Sequence, residues 1–294
     1  MAGVLASVAD PDEALRVVAL GVEVVDLKDP ARGSLGAWAL PALRAVRTRL
    51  GGVLTSATIG DLPLEPAVVR RRVEAVAATG VDVVKIGFFP GDLDGTLAAL
   101  RPLARRGIRL AAVVFADRGL DPALAGRLGA SGFRAVVVDT ADKDRGRLGD
   151  HADAALLDAF LKAARAAGLI TALAGSLREA DVAALAPLDP DLFGFRGALC
   201  AGGRNGRLDP ARVRTVVAAV RRHAPRRPDL AGLRIREGEA GDGEGRRHHV
   251  DGVGERGRRT HQRGEAQTRP FQAGGETGGE GVAAAGRHHR RLGR

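Results

Sequence analysis

VDVVKIGF, residues 81–88, is an apolar, β-branched run typical of a strand buried on both faces of a parallel sheet. A helical pattern, EPAVVRRRVEAVAATG, precedes it and ends on a glycine. This alternation of helix and strand recurs along the chain. Comparable apolar runs occupy residues 4–8, 22–27, 52–59, 108–116, 133–140, 169–175 and 191–197.

Eight strand–helix units within residues 1–224 predict a closed α/β barrel of the (β/α)8, or TIM, type. A doubly wound open sheet is the alternative, and the similar length of the eight units favours closure. In a TIM barrel, catalytic groups lie where the strands end, on the carboxyl rim. The fold therefore predicts where the functional residues are.

The composition changes near residue 225. Residues 225–294 are rich in glycine and arginine and show neither a helical nor a strand period. Such a segment buries too little apolar surface to fold, so we expect a disordered tail. GC-rich DNA read in a wrong frame yields a similar mixture, which makes a frameshift a second interpretation. The chain thus divides into a barrel domain, 1–224, and a low-complexity tail, 225–294.

The net charge of +10 does not indicate a nucleic-acid partner. Residues 1–224 contain 30 basic and 25 acidic residues, which leaves +5 on the barrel, and the tail contributes the other +5. A single cysteine and the absence of an apolar leader predict a cytoplasmic protein without disulfides. No apolar run is long enough for a membrane span, so no membrane partner is expected.

Lysine is rare in this chain, whereas arginine is abundant. Three of the four lysines fall in the later half of a predicted strand or at or just beyond its end, and two aspartates, Asp26 and Asp139, lie at the ends of such strands. Only an amine can lose its proton and attack a carbonyl, so lysines at a rim indicate nucleophilic chemistry. A rim salt bridge is the alternative interpretation. The rim lysines are Lys28, Lys85 and Lys143, and the fourth, Lys162, lies within a helix and is expected to be exposed.

Lys85 lies inside an apolar strand, where a lysine needs either a charged partner or the loss of its proton. Glycine-rich turns follow the last two predicted strands, AGS at 174–176 and RGALC at 196–200. Their backbone amides occupy the usual phosphate-binding position of this fold. A small phosphorylated carbonyl compound is therefore the expected substrate, bound by Gly175, Ser176, Arg196 and Gly197.

Six segments together resemble the (5-formylfuran-3-yl)methyl phosphate synthase family, in order and across residues 1–222. They are DLKDPARGSLGA, SATIGD, VDVVKIGF, VVDTADKDRGRLGD, TALAGSL and DLFGFRGALCAGGRNGRLD. The resemblance implies a TIM-barrel lyase that joins two molecules of glyceraldehyde 3-phosphate, with loss of phosphate and water. The implied product is 4-(hydroxymethyl)-2-furancarboxaldehyde phosphate, the furan precursor of the one-carbon carrier methanofuran. Neither a metal nor an organic cofactor is required.

Matched by position, the resemblance makes Lys28 the Schiff-base lysine and Lys85 the proton acceptor. Asp26 and Asp139 match further active-site residues, expected to orient the lysines and shuttle protons. Lys143 is expected to stabilise a phosphate or the leaving group.

Two other functions remain open. One is a different Schiff-base aldolase-like barrel acting on a phosphorylated aldehyde, because DLKDP also echoes the Asp-x-Lys pattern of decarboxylase-like barrels. The other is a non-catalytic barrel with an arginine-rich tail that binds nucleic acid. The sequence also leaves open whether copies associate through exposed barrel helices into a homo-oligomer.

Overall fold

A closed barrel of eight parallel strands, in the order β1 to β8, forms the centre of the computed structural model, which describes residues 2–224 and 228–234. Each strand coincides with one of the eight apolar runs, so the TIM barrel is confirmed and the open sheet is excluded. The strands are β1 Gly3–Val8, β2 Val24–Leu27, β3 Leu54–Thr58, β4 Val83–Gly87, β5 Leu110–Phe115, β6 Ala135–Asp139, β7 Ile170–Leu173 and β8 Leu192–Phe195.

Helices connect successive strands around the outside of the barrel. They are α1 Pro11–Val18, α2 Leu40–Leu50, α3 Pro66–Ala77, α4 Leu93–Arg105, α5 Ala123–Ala130, α6 Leu148–His151, α7 Ala154–Ala166, α8 Asp181–Leu185 and α9 Pro210–His223. A short antiparallel pair, β9 Cys200–Ala201 and β10 Arg207–Leu208, follows β8.

Helix starts follow the capping pattern in the sequence. The side chain of Asp10 accepts a hydrogen bond from the amide of Glu13, and a proline opens α1. Asp209 and Pro210 open α9 in the same way. Lys162 lies in α7 with 69% of its side chain exposed, beside Asp158, as the sequence predicts. No helix in the described residues is both long and apolar enough to cross a membrane.

Side chains along each strand alternate between the barrel interior and the surrounding helices. On β2, Val24 belongs to the interior cluster, whereas Val25 and Leu27 belong to the cluster that includes the helices. The same alternation turns Asp26 and then Lys28 inward. The interior is therefore apolar where the strands begin and charged where they end, which places the predicted site residues on the carboxyl rim.

The packing of the barrel extends past residue 224. Residues Ala231–Leu233 form a 3-10 turn, and Leu233 is only 3% exposed within the interior cluster. Arg234 donates a hydrogen bond to the carbonyl of Gly52, just before β3. This segment thus lies at the amino end of the barrel, opposite the rim. The rest of the predicted tail, 225–227 and 235–294, lies outside the described residues.

Candidate active site

A cavity of about 830 Å3 opens at the carboxyl ends of the strands. The structure brings together the residues predicted from sequence, although their individual roles stay predictions. Asp26 is fully buried and reaches the site through a hydrogen bond from Lys85. The other predicted residues line the cavity directly: Lys28, Lys85, Asp139, Lys143, Gly175, Ser176, Arg196 and Gly197.

Asp26 is held by three hydrogen bonds within the barrel. It accepts them from the hydroxyls of Ser7 at 2.9 Å and Ser56 at 2.7 Å, and from the Lys85 amine at 2.9 Å. Burial alone would raise the pKa of Asp26, but the charges of Lys85 and Lys28 and the donated hydrogen bonds outweigh it and lower the pKa. Asp26 therefore remains an anion.

The two serines were not predicted from the sequence. Ser7 on β1 and Ser56 on β3 are the cross-strand partners of Asp26 in the parallel register. A small hydroxyl residue at an inward position of an apolar strand is the only signal the sequence offers for such a group.

Lys85 is paired with a carboxylate. Its amine lies 2.9 Å from Asp26 Oδ2, and its side chain is 3% exposed. Of the two ways in which a lysine can be accommodated inside an apolar strand, the structure therefore shows ion pairing. The two residues are 59 positions apart and lie on different strands.

A second lysine–carboxylate pair lies at the end of β6. The Lys143 amine donates hydrogen bonds to the carboxylate of Asp139 and to the carbonyl of Thr140. Burial alone would raise the pKa of Asp139, but the charges of Lys143 and Lys28, with hydrogen bonds from Lys143 and Thr140, lower it to about 2. Asp139 is therefore ionised throughout the physiological range.

Lys28 differs from both of these lysines. It is 6% exposed, and its amine forms no hydrogen bond or ion pair with the residues that the structure describes. Its pKa is lowered from 10.5 to about 8, mainly by burial; the charges of Lys85 and Lys143 act in the same direction, whereas those of Asp139 and Asp26 oppose the shift. A large fraction of the Lys28 amine is therefore neutral near pH 8, and only the neutral form is a nucleophile.

The loop after β7 bends sharply at the cavity wall. Gly175 has a φ of +96° and Ser176 a φ of +53°, so a non-glycine residue occupies the left-handed region. A side chain at position 175 would lie within 3.3 Å of both Thr140 and Leu148. Backbone held in such a conformation is characteristic of ligand-binding loops, where the surrounding packing maintains it.

Arg196 is turned toward protein partners. Its guanidinium contacts the carboxylate of Glu13, and it donates hydrogen bonds to the carbonyls of Arg204 at 2.8 Å and Gly206 at 3.0 Å. These contacts fix the β9–β10 hairpin against α1. Glu13, which is buried and also accepts from the amide of Leu208 at 3.0 Å, was missed because a glutamate in a first helical turn reads as an ordinary N-terminal acid.

The single cysteine lines the cavity but is not poised as a nucleophile. Burial is the main cause that raises the pKa of the Cys200 thiol to about 11, so the thiolate is scarce at neutral pH. Within the described part of the chain, no three His, Cys, Asp or Glu side chains gather into a metal site.

Comparison with solved structures agrees on the fold. The chain is similar to 3-hexulose-6-phosphate synthase from Salmonella typhimurium, with a TM-score of 0.56 and 16% identity over 75% of this chain and 99% of the other. It is also similar to 3-keto-L-gulonate-6-phosphate decarboxylase from Vibrio cholerae, with a TM-score of 0.56 and 15% identity over 76% and 97%. At these identities the likeness concerns the fold alone.

Comparison of sequences identifies the family. The (5-formylfuran-3-yl)methyl phosphate synthases of Methanopyrus kandleri and Methanocaldococcus jannaschii are 35% and 31% identical to this chain, covering 69% and 70% of it and 91% and 94% of themselves. A Methylorubrum extorquens protein provisionally given the same name is 40% identical over 74% of this chain and 91% of its own length. The profile of the family described as 4-HFC-P synthase matches residues 4–217. The resemblance of the six segments is thereby confirmed, and the chain belongs to the 4-HFC-P synthase family of enzymes.

Proposed function

We propose that this chain condenses two molecules of glyceraldehyde 3-phosphate into 4-(hydroxymethyl)-2-furancarboxaldehyde phosphate through an imine at Lys28, for methanofuran-type carrier biosynthesis. The observation that carries the proposal is the buried Lys28 amine, with a pKa of about 8 and no carboxylate partner among the described residues. Membership of the 4-HFC-P synthase family supports the product.

In the first step, the neutral Lys28 amine attacks the aldehyde carbon of one triose phosphate. The resulting carbinolamine loses its hydroxyl as water, which needs a proton donor. We assign this role to Lys85, whose amine lines the cavity and is held by Asp26 at 2.9 Å. After giving up that proton, Lys85 is neutral and can accept the proton from the carbon next to the imine, which yields an enamine.

In the second step, the enamine carbon attacks the aldehyde of the other triose phosphate. A hydroxyl oxygen of the second triose then replaces the Lys28 nitrogen at the imine carbon, which closes the ring and frees the amine. The loss of water and phosphate completes the furan. We assign Lys143 to the contact with the bound or departing phosphate. Its ammonium group lines the cavity, and Asp139 holds its amine in place.

The glycine-rich loops after β7 and β8 are proposed to bind a substrate phosphate through backbone amides, at Gly175, Ser176 and Gly197. Arg196 has a supporting role in this scheme. Its guanidinium is engaged by Glu13 and by two loop carbonyls, so it shapes the loop after β8 while its charge remains close to the cavity.

Borohydride trapping tests the proposal. Incubation of the protein with glyceraldehyde 3-phosphate and borohydride, followed by peptide mass mapping, is expected to place a reduced triose adduct on Lys28. An adduct on another lysine alone, or none on folded protein, would overturn the imine. Without borohydride, a furan absorbance should develop from glyceraldehyde 3-phosphate. A simple aldolase-like barrel would give an aldol product that lacks this absorbance.

A further inference from the structure

Two carboxylates on the rim each accept hydrogen bonds from the loop that follows a neighbouring strand. Asp61, after β3, accepts hydrogen bonds from two consecutive amides, Ser34 at 2.8 Å and Leu35 at 2.7 Å. These amides belong to the Lys28 loop, residues 29–36, which begins directly after Lys28. The loop closes on itself through a 2.8 Å hydrogen bond from the amide of Asp29 to the carbonyl of Gly36.

The Lys28 loop approaches Asp61 so closely that only glycine fits at position 33. Gly33 has a φ of +119°, and a side-chain carbon there would lie 2.2 Å from Asp61 Oδ2. The hydroxyl of Thr58, the last residue of β3, also holds the loop by donating a hydrogen bond to the carbonyl of Gly36 at 3.1 Å. The position of the loop is thus set by β3, and the loop in turn fixes the backbone that carries Lys28.

Asp117, after β5, makes the same arrangement on the other side of the site. It accepts hydrogen bonds from two consecutive amides, Ala141 at 2.8 Å and Asp142 at 2.9 Å. These amides belong to the Lys143 loop, residues 140–144, and immediately precede Lys143. Burial alone would raise the pKa of Asp117, but the hydrogen bonds from these amides outweigh it and lower the pKa, which keeps the carboxylate charged.

Similar pairs occur at the amino end of the barrel, away from the lysines. Asp191, before β8, accepts from the amide and the hydroxyl of Thr171 on β7, each at 2.9 Å. This contact joins two strands, whereas Asp61 and Asp117 join a strand end to a loop that carries a lysine. All three aspartates accept hydrogen bonds from backbone amides, but they differ in whether the amide lies on a strand or on a loop that carries a lysine.

We propose that Asp61 and Asp117 are positioning residues, each of which holds one rim lysine in place by clamping the loop on which that lysine lies. Asp61 serves Lys28, and Asp117 serves Lys143. The contribution of the two clamps to turnover rests on the proposed function, but their hold on the two lysines does not.

Reductive methylation with formaldehyde and a borohydride tests the clamps, because formaldehyde is small enough to enter the cavity. Rate constants at Lys28 and Lys143 are followed by peptide mass mapping at pH 8 in the full-length protein and in Asp61→Asn, Asp117→Asn and the control Asp191→Asn. An asparagine offers one acceptor oxygen and presents donor hydrogens where the second amide needs an acceptor.

Asp61→Asn is expected to slow methylation of Lys28 about tenfold, because a loosened, hydrated amine returns toward its usual pKa and loses most of its neutral form. Lys143 should be unaffected in this variant. Asp117→Asn is expected to speed methylation of Lys143 about threefold, because its amine is released from its hydrogen bonds. The rate at Lys28 should change by less than about twofold, because Lys143 is the weakest of the charges that act on the pKa of Lys28. Asp191→Asn should change neither rate.

The proposal is overturned if both lysines respond together in either clamp variant, or if neither rate changes by more than about twofold. Lysines in an unfolded fraction would all be methylated at one common rate, so the rate constants of the folded phase are compared. Should an asparagine variant not fold, Asp→Glu at the same position replaces it; the longer side chain displaces the loop, and the same one-to-one pattern is expected.

Turnover of glyceraldehyde 3-phosphate by the same proteins separates the two proposals. The expected methylation pattern in a protein that makes no furan would leave the clamps standing and refute the proposed function. Normal furan formation without the expected methylation rates at Lys28 and Lys143 would refute the clamps and leave the proposed function standing.

Discussion

The two ends of the barrel interior differ in the polarity of their side chains. The carboxyl rim contains three lysines and two aspartates around an open cavity, whereas the amino end is apolar and includes Leu233 from beyond the last helix. Burying charge is costly unless it is paired, and burying leucine is favourable. The comparison shows that the amino end stabilises the barrel, and the rim retains charges that stability alone does not require.

Replacing Lys28 by arginine should have the largest effect on the rim. An arginine cannot lose its proton to form an imine, so turnover of glyceraldehyde 3-phosphate is expected to fall by at least about four orders of magnitude. Circular dichroism should show an unchanged fold. Lys162→Arg, at the exposed lysine, is the matched control and should keep wild-type activity; substantial activity in Lys28→Arg would refute the imine.

Asp26→Asn tests how much the pair of Asp26 and Lys85 contributes to stability and turnover. Removing one partner of a buried ion pair leaves the Lys85 charge uncompensated, which costs about 3 kcal/mol of unfolding free energy. We expect turnover to fall about a hundredfold as well, because Lys85 then lacks the carboxylate that holds its amine in position for proton transfer. Urea unfolding and steady-state kinetics measure the two effects.

Ser56→Ala is the graded control for Asp26→Asn. It removes one of the three hydrogen bonds to Asp26 and keeps the ion pair, so its stability loss should be about 1 kcal/mol. Equal losses in the two variants would show that the pair with Lys85 contributes nothing beyond a hydrogen bond.

The eight strands and the rim position of the lysines could be predicted because both depend on local pattern. Buried parallel strands are continuous apolar runs, and the fold then fixes which end is the rim. The pairing of charges could not be predicted in this way. Asp26 is two residues from Lys28 in sequence, yet it pairs with Lys85 two strands away, because pairing depends on the register and twist of separate strands.

Two further features escaped the sequence patterns for related reasons. The pair of Glu13 and Arg196 joins residues 183 positions apart. Leu233 lies in a segment whose composition predicts a tail, and its burial depends on the amino end of the barrel accepting one more apolar side chain. Periodicity reports on neighbours along the chain, so contacts made only through space leave no such signal.

Leu233→Ala should weaken the amino end and spare the rim. Removing a buried leucine side chain is expected to cost about 2–3 kcal/mol of unfolding free energy. Leu230→Ala, at a partly buried neighbour, is the control and should cost less. The rate of borohydride trapping at Lys28 should be the same in both variants, and a slower rate in Leu233→Ala would contradict the separation of the two ends.

Asp139→Asn should shift the pH dependence of trapping at Lys28, in addition to the stability lost when its buried pair with Lys143 is broken. Lys28 has a pKa of about 8, and Asp139 is the strongest charge that raises it. Without that charge, the pKa of Lys28 is expected to fall by about one unit, so the neutral amine persists to lower pH. The midpoint of the pH profile for trapping at Lys28 should move from about 8 to about 7.

The release of Lys143 from its carboxylate acts on Lys28 in the same direction as the loss of Asp139. The positive charge of Lys143 already lowers the pKa of Lys28, and it would no longer be neutralised by its neighbour. A control with Asp153→Asn, at the exposed cap of α7, should leave the midpoint near 8. An unchanged midpoint in Asp139→Asn would show that burial, rather than the balance of rim charges, sets the reactivity of Lys28.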